Sequence, residues 1–259
     1  MSRLLKSDFY RLFRSKSFYI CGFISVFLFL LNLTIAYLTN KMLADNNEIN
    51  SFLAKDGISY GLGAFGNGNL QMILGIITAI FITSEFTHGT MKNVVSKGFS
   101  RIQIYFSKLI TMIFAVYIMI FATFVTGMIG AIIVTGKVGD FSADNMIHMT
   151  KIIGVELILN MALASFLVFI AMVIRNLGGA IAINILGVMS FLPLIFYLLE
   201  IAVKNKVKFS YVELLNNIAA YLPLGTIPDN YLRSVIVAIV YFGVTTALGL
   251  LAFTKSDVK

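Results

Sequence analysis

Cysteine, histidine and charge are all scarce in this chain of 259 residues, and each scarcity removes a class of function. The lone Cys21 stands inside an apolar block, which excludes a disulfide framework and a cysteine metal site. The two histidines, His88 and His148, fall in separate breaks between apolar blocks, and the acids are scattered. No acid cluster, paired histidine or nucleophile beside a base emerges, so a membrane-embedded enzyme such as a lipid-modifying transferase is the minor alternative. Charged residues are 12% of the chain against 59% hydrophobic, with a mean hydropathy of +0.91. A soluble chain this apolar lacks the polar groups to cover its own surface.

What is present is apolar sequence in long blocks, rich in Phe (23) and Met (12). About 20 such residues in a helix cross the hydrocarbon core. The expected fold is therefore an all-α integral membrane protein, a single transmembrane domain over 1–259. Six transmembrane helices are expected, near 18–38, 69–86, 103–134, 152–174, 179–200 and 234–253. The third is longer than a span requires and should tilt or project. Pro193 should kink the fifth near its outer end. No cleaved signal peptide is expected, because the first apolar stretch is long and no small-residue cleavage site follows it.

Six spans put both termini on one side. With the N-terminus inside, the inner segments hold 12 basic residues against Asp8, Glu85 and Asp257, or +9. The outer segments hold the other 8 basic residues against 9 acids, or −1. The positive-inside bias thus places both termini in the cytoplasm of a multi-pass cell-membrane protein. The overall charge of +8 is read as orientation, not as nucleic-acid binding.

Residues 1–17, "MSRLLKSDFYRLFRSKS", read as an amphipathic elbow helix on the cytoplasmic membrane surface. Leu5, Phe9, Leu12 and Phe13 share an arc of about 100°. Arg3, Ser7, Arg11 and Arg14 take the opposite side, and with Lys6 they would draw the helix to anionic lipid. The outer segment 201–233 contains "FSYVELL", a capping box of Ser210 and Glu213 with Phe209 and Leu214 as the staple. Its helix should stop before Pro223. At about twelve residues it is too short to span, so it reads as a re-entrant or interfacial helix before the last span.

Two glycine motifs are spurious. "GLGAFG" at 61–66 has the letters of a dinucleotide fingerprint but lies between a polar loop and a span, not in a βαβ unit. It reads as a flexible loop. "GAIIVTGKV" at 130–138 has one residue too many for a phosphate loop, and Val138 replaces the magnesium-holding hydroxyl. The chain has no visible nucleotide site and no metal site.

The break between the second and third spans is the most informative stretch: "SEFTHGTMKNVVSKGFSRIQIYFSK", residues 84–108. Glu85 lies near the interface, where a carboxylate needs hydration or a partner. Gly89 breaks the helix and Thr90 caps a short one, "MKNVVSK". Met91, Val94 and Val95 share one face of it, suited either to a groove on a soluble protein or to lipid. Gly98 ends it, and Ser100 with Gln103 forms a capping box for the next span. This break resembles the signature of ABC type-2 permeases, in which Glu85, Gly89, Thr90, Ser100 and Arg101 match, while Gly98 stands where many members carry Pro. The elbow helix, six spans and structured outer segment agree with that family.

The resemblance implies a permease subunit, not an enzyme, in an ATP-driven exporter. Segment 87–101 would couple it to a separate cytoplasmic ATPase that carries the ATP and magnesium. A second copy or a homologous permease would complete the membrane unit. The compact Phe- and Met-rich chain is similar to the bacitracin-resistance, lantibiotic-immunity and amphipathic-toxin exporters of Gram-positive bacteria. The expected substrate is accordingly a hydrophobic or amphipathic antimicrobial or toxin peptide, the alternative being a small-molecule drug or a lipid. Met and Phe surfaces suit such variable apolar ligands. Glu156 and Asn160, one turn apart in the fourth span, are the polar pair flagged for a transport path. Arg175 reads as a topology anchor. A gradient-driven transporter would show inverted repeats and midplane charges, and neither is visible.

Overall fold

A computed structural model describes residues 1–43, 56–139, 141–186, 192–202, 213–219 and 231–255, all helix or short turns with no strand among them. Among the described residues five helices are long and apolar enough to cross a membrane. They are α2 (Lys16–Leu43), α4 (Gly68–Thr87), α6 (Arg101–Thr135), α7 (Ala143–Ile174) and α11 (Tyr231–Lys255). Within the expected fifth span the described residues form α8 (Leu177–Leu186) and α9 (Leu192–Ala202), and 187–191 between them lie outside the described residues. Pro193 is the second described residue of α9, and the stretch before it, where the expected kink would fall, lies outside the described residues. The helix of the fourth span begins nine residues earlier than expected, at Ala143.

Helix α4 is the most enclosed of the five, packed by α2, α6, α7 and α8. The buried core runs through Leu74, Ile77 and Ile82 of α4, Leu109, Met112 and Val116 of α6, and Leu159, Leu163 and Leu167 of α7. Helix α11 lies along α7, with Ser165 hydrogen-bonded to Thr245 and Thr246 at 2.8 Å each. Hydroxyl pairs of this kind hold helices together where both neighbours are apolar. Tyr105 of α6 is fully buried against Gly249 of α11, where a Cβ would fall onto the phenol ring.

Helix α1 (Ser2–Arg14) turns into α2 at Ser15, whose backbone is extended. It packs on α6 with Leu4, Asp8 and Leu12 buried. This stripe is rotated from the expected one: Leu5 and Phe9 are half-buried and Phe13 is exposed. The polar pull of Asp8 toward α6 sets that rotation, and Phe9 follows by an edge-to-face contact with Phe114 at 5.3 Å.

At the other end of the bundle a short helix, α3 (Gly57–Leu62), precedes a turn over 63–66, so the stretch 61–66 read as a flexible loop begins in the last two residues of a helix. Asp56 caps it, accepting from the Ser59 amide at 2.7 Å. Gly61 lets it lie on α6, since a Cβ there would come within 3.0 Å of the Phe124 carbonyl oxygen. Helix α10 (Leu214–Ala219) buries Leu214 and Ile218 against α7 and α11. Ser234 donates to Asn217 at 2.9 Å, fixing α10 to the last span. Ser210, Pro223 and the expected capping box lie outside the described residues, and Glu213 is buried just before α10.

Candidate functional site

The α4–α6 connection is built from local rules. Helix α4 ends at Thr87 with His88 as its cap, and Gly89 follows with φ +67°, a left-handed turn that glycine adopts at no steric cost. Helix α5 (Thr90–Ser96) starts there with Gly89 as its cap, so Thr90 is its first residue and not its cap. The Thr90 hydroxyl instead turns back and donates to the Glu85 carbonyl at 3.3 Å. Gly98, at φ +82°, leads into Ser100. Ser100 and Gln103 make both bonds of the capping box, each at 3.3 Å.

The apolar stripe of α5 faces the bundle, not outward. Met91 is fully buried, and Val94 and Val95 pack on the core. Lys92, Asn93, Ser96 and Lys97 are among the exposed side chains of the segment. A seven-residue helix tethered between two membrane helices buries its apolar side on the nearest apolar surface, which is its own bundle.

Glu85 is 5% exposed and sits in an ionic cluster drawn from three helices. Lys108 of α6 donates to both Glu85 and Asp8. Arg11 of α1 donates to the same Glu85 oxygen and, at 2.9 Å, to the Phe81 carbonyl. Ser107 donates to the second oxygen of Asp8 at 2.5 Å. Two carboxylates and two cations make the cluster neutral overall. Its members compensate one another's desolvation, which a lone buried ion does not. The Arg11 guanidinium also lies 4.0 Å over the Phe81 ring. Burial pulls its proton affinity down, and the Asp8 carboxylate opposes that. The guanidinium remains charged at physiological pH.

Arg11 therefore belongs to the interior of this cluster and not to the outer basic side of α1, where Arg3, Lys6 and Arg14 remain exposed. Asp8 and Lys108 were counted in the sequence only as charges on one side. Asp8 falls at i+4 from Leu4 and i−4 from Leu12, and Lys108 is a lone cation inside a predicted span, a default functional candidate. Those two signals mark them.

Arg101 has a different task. It donates to the carbonyls of Phe253 and Thr254, at 3.2 and 2.7 Å, and so closes the C-terminal end of α11. Arg175 ends α7 and lays its guanidinium over Phe86 of α4 at 5.4 Å. The ends of α4, α7 and α11 and the start of α6 are thus tied together around α5. Residues 4–191 match the family described as ABC-2 family transporter protein, which is most of the chain. The chain belongs to the ABC-2 transporter family. No curated protein matches it.

The ABC-2 chain is accordingly a permease subunit of an ABC transporter, a transport protein and not itself a catalytic enzyme, in the cell membrane. In this permease Glu156 and Asn160 are buried at the opposite end of α4 from Glu85. Asn160 donates to the Glu156 carboxylate and to the Phe65 carbonyl, both at 3.3 Å, and to the Glu156 carbonyl at 2.9 Å. The pair fastens the turn before α4 onto α7. Neither residue lines the apolar cavity that this turn helps to enclose.

Proposed function

We propose that this permease is the membrane half of an ATP-driven exporter whose engine is a separate cytoplasmic ATPase carrying ATP and magnesium. The observation that carries the reading is the position of α5. It joins α4 to α6, packs on the core by its buried stripe and is tied by Thr90 to the Glu85 carbonyl beside the neutral cluster, with Lys92, Asn93, Ser96 and Lys97 turned outward. A partner that pushes on that polar, basic face moves α4 and α6 directly. Through Lys108 and Arg11 it also moves α1. The +9 inner charge supports a cytoplasmic location for this end and for both termini.

The unit works as a pair, with a second copy or a homologous permease. Its substrate is hydrophobic or amphipathic, an antimicrobial or toxin peptide of the kind exported by Gram-positive bacteria. The Phe- and Met-rich composition and the scarcity of intramembrane charge support an apolar cargo.

The test is a mild-detergent pull-down of the tagged chain from its own membrane. A stoichiometric soluble partner with a Walker A sequence is expected, and a clean homo-oligomer without an ATPase overturns the proposal. In the reconstituted complex Glu85→Ala should leave membrane insertion intact and uncouple ATP hydrolysis from export. Substrate-stimulated export at the normal rate in that variant would remove Glu85 from the coupling route.

A further inference from the structure

Between α6 and α7, under the turn that precedes α4, lies a cavity of about 370 Å³. Its walls are Phe65, Tyr117, Ile120 and Phe124, with Ile153 and Leu157 facing them, and Phe121 stands at the rim. The Tyr117 hydroxyl is already engaged, donating to the Leu157 carbonyl at 3.0 Å. Water needs two or more polar partners to settle in such a space, and this wall offers no free one. A polar or charged occupant would lose its hydration without compensation. The occupant is therefore hydrocarbon or aromatic.

The position of the mouth narrows that choice. Phe121 is exposed and lies near the midpoint of the 35-residue α6. At about 1.5 Å per residue that helix exceeds the bilayer core, so its middle stands among lipid tails. The cavity is continuous with the surface by which the permease already meets the membrane. At that depth acyl chains are effectively the solvent, and a site facing its ligand at such concentration fills even when each contact is weak.

We propose that this cavity holds one acyl chain of a bilayer lipid, threaded between α6 and α7 past Phe121. The turn carrying Phe65 closes the far side, and Asn160 holds that turn in place through the Phe65 carbonyl. The site is complete within one chain and does not depend on which substrate the transporter moves.

The chain contains no tryptophan, so a single introduced one reports its surroundings without background. Phe124→Trp, or Phe65→Trp from the opposite wall should the first fail to insert, is reconstituted in phosphatidylcholine vesicles with brominated acyl chains. Phe27→Trp, on an exposed position of α2, is the lipid-facing reference. Quenching in the cavity should approach that of the reference. Adding Ile153→Phe and Leu157→Phe together, to narrow the space from the facing wall, should lower it about twofold while leaving the reference unchanged. An unquenched cavity tryptophan would mean that the space is empty or closed by protein, and the proposal fails. Quenching that persists with the space narrowed would be ordinary lipid contact, and the proposal fails equally. If an added amphipathic peptide relieves the quenching at the cavity but not at the reference, the space is a substrate site and the acyl-chain assignment is overturned.

Discussion

Glu85 and Glu156 are both buried carboxylates, set at the two ends of α4, and the protein treats them in opposite ways. Glu85 receives two cations, Lys108 and Arg11, and shares the first with Asp8 of another helix. Glu156 makes no ion pair among the described residues and has the amide of Asn160 as its side-chain partner. One end of the bundle is thus joined by long-range charge, the other by short hydrogen bonds and packing. A buried ion pair loses heavily when one member is removed, because the other charge is stranded. A single side-chain hydrogen bond is worth about 1 kcal/mol net. The first arrangement makes an end of the bundle respond as one body, and the second merely closes a surface.

That contrast can be broken at three places. The largest effect is expected from Lys108→Met, which leaves Asp8 and Glu85 buried with only Arg11 between them. It should cost about 3–5 kcal/mol, read as a fall in the thermal midpoint of the detergent-purified protein. Adding Asp8→Asn should recover part of the loss, since Glu85 then keeps Arg11 to itself. A second drop in place of that recovery would show that α1 and α4 are not linked through Lys108.

Arg101→Ala comes next. Loss of its bonds to the end of α11 should cost roughly 1–3 kcal/mol and speed amide exchange in the last turn of α11, near Phe253 and Thr254. Uniform exchange across α11 would place the effect elsewhere.

The smallest change is expected for Glu156→Gln. The new amide still offers an oxygen to Asn160, so stability should move by less than about 1 kcal/mol. A loss as large as that of Lys108→Met would erase the distinction between the two ends.

The helices and the α5 segment were legible because their signals are local. Apolar runs mark α2, α4, α6, α7 and α11, and a three-residue spacing marks the Ser100–Gln103 cap. Glu85 stood out as a carboxylate at the edge of a span, and Glu156 with Asn160 as a polar pair one turn apart. The partners of Glu85 were not legible, because Lys108 and Asp8 meet across 100 residues of chain and no local pattern records the meeting. The orientation of α5 was hidden for another reason. An apolar stripe on a short helix is the same whether it faces its own bundle or another protein, so Met91 read as a docking residue although it is buried. Helix α3 escaped because six residues in a polar stretch are too few to show a period.

The contact of Tyr105 with Gly249 bears on how such a sequence changes over generations. The phenol ring fills the space that any β-carbon at position 249 would need, and its hydroxyl has no partner among the described residues. Position 249 is therefore frozen while position 105 is large, and it is released once a substitution such as Tyr105→Leu has occurred. The two replacements are accessible in one order and closed in the other. Gly249→Ala arriving first would be lost, whereas the same change arriving second would pass.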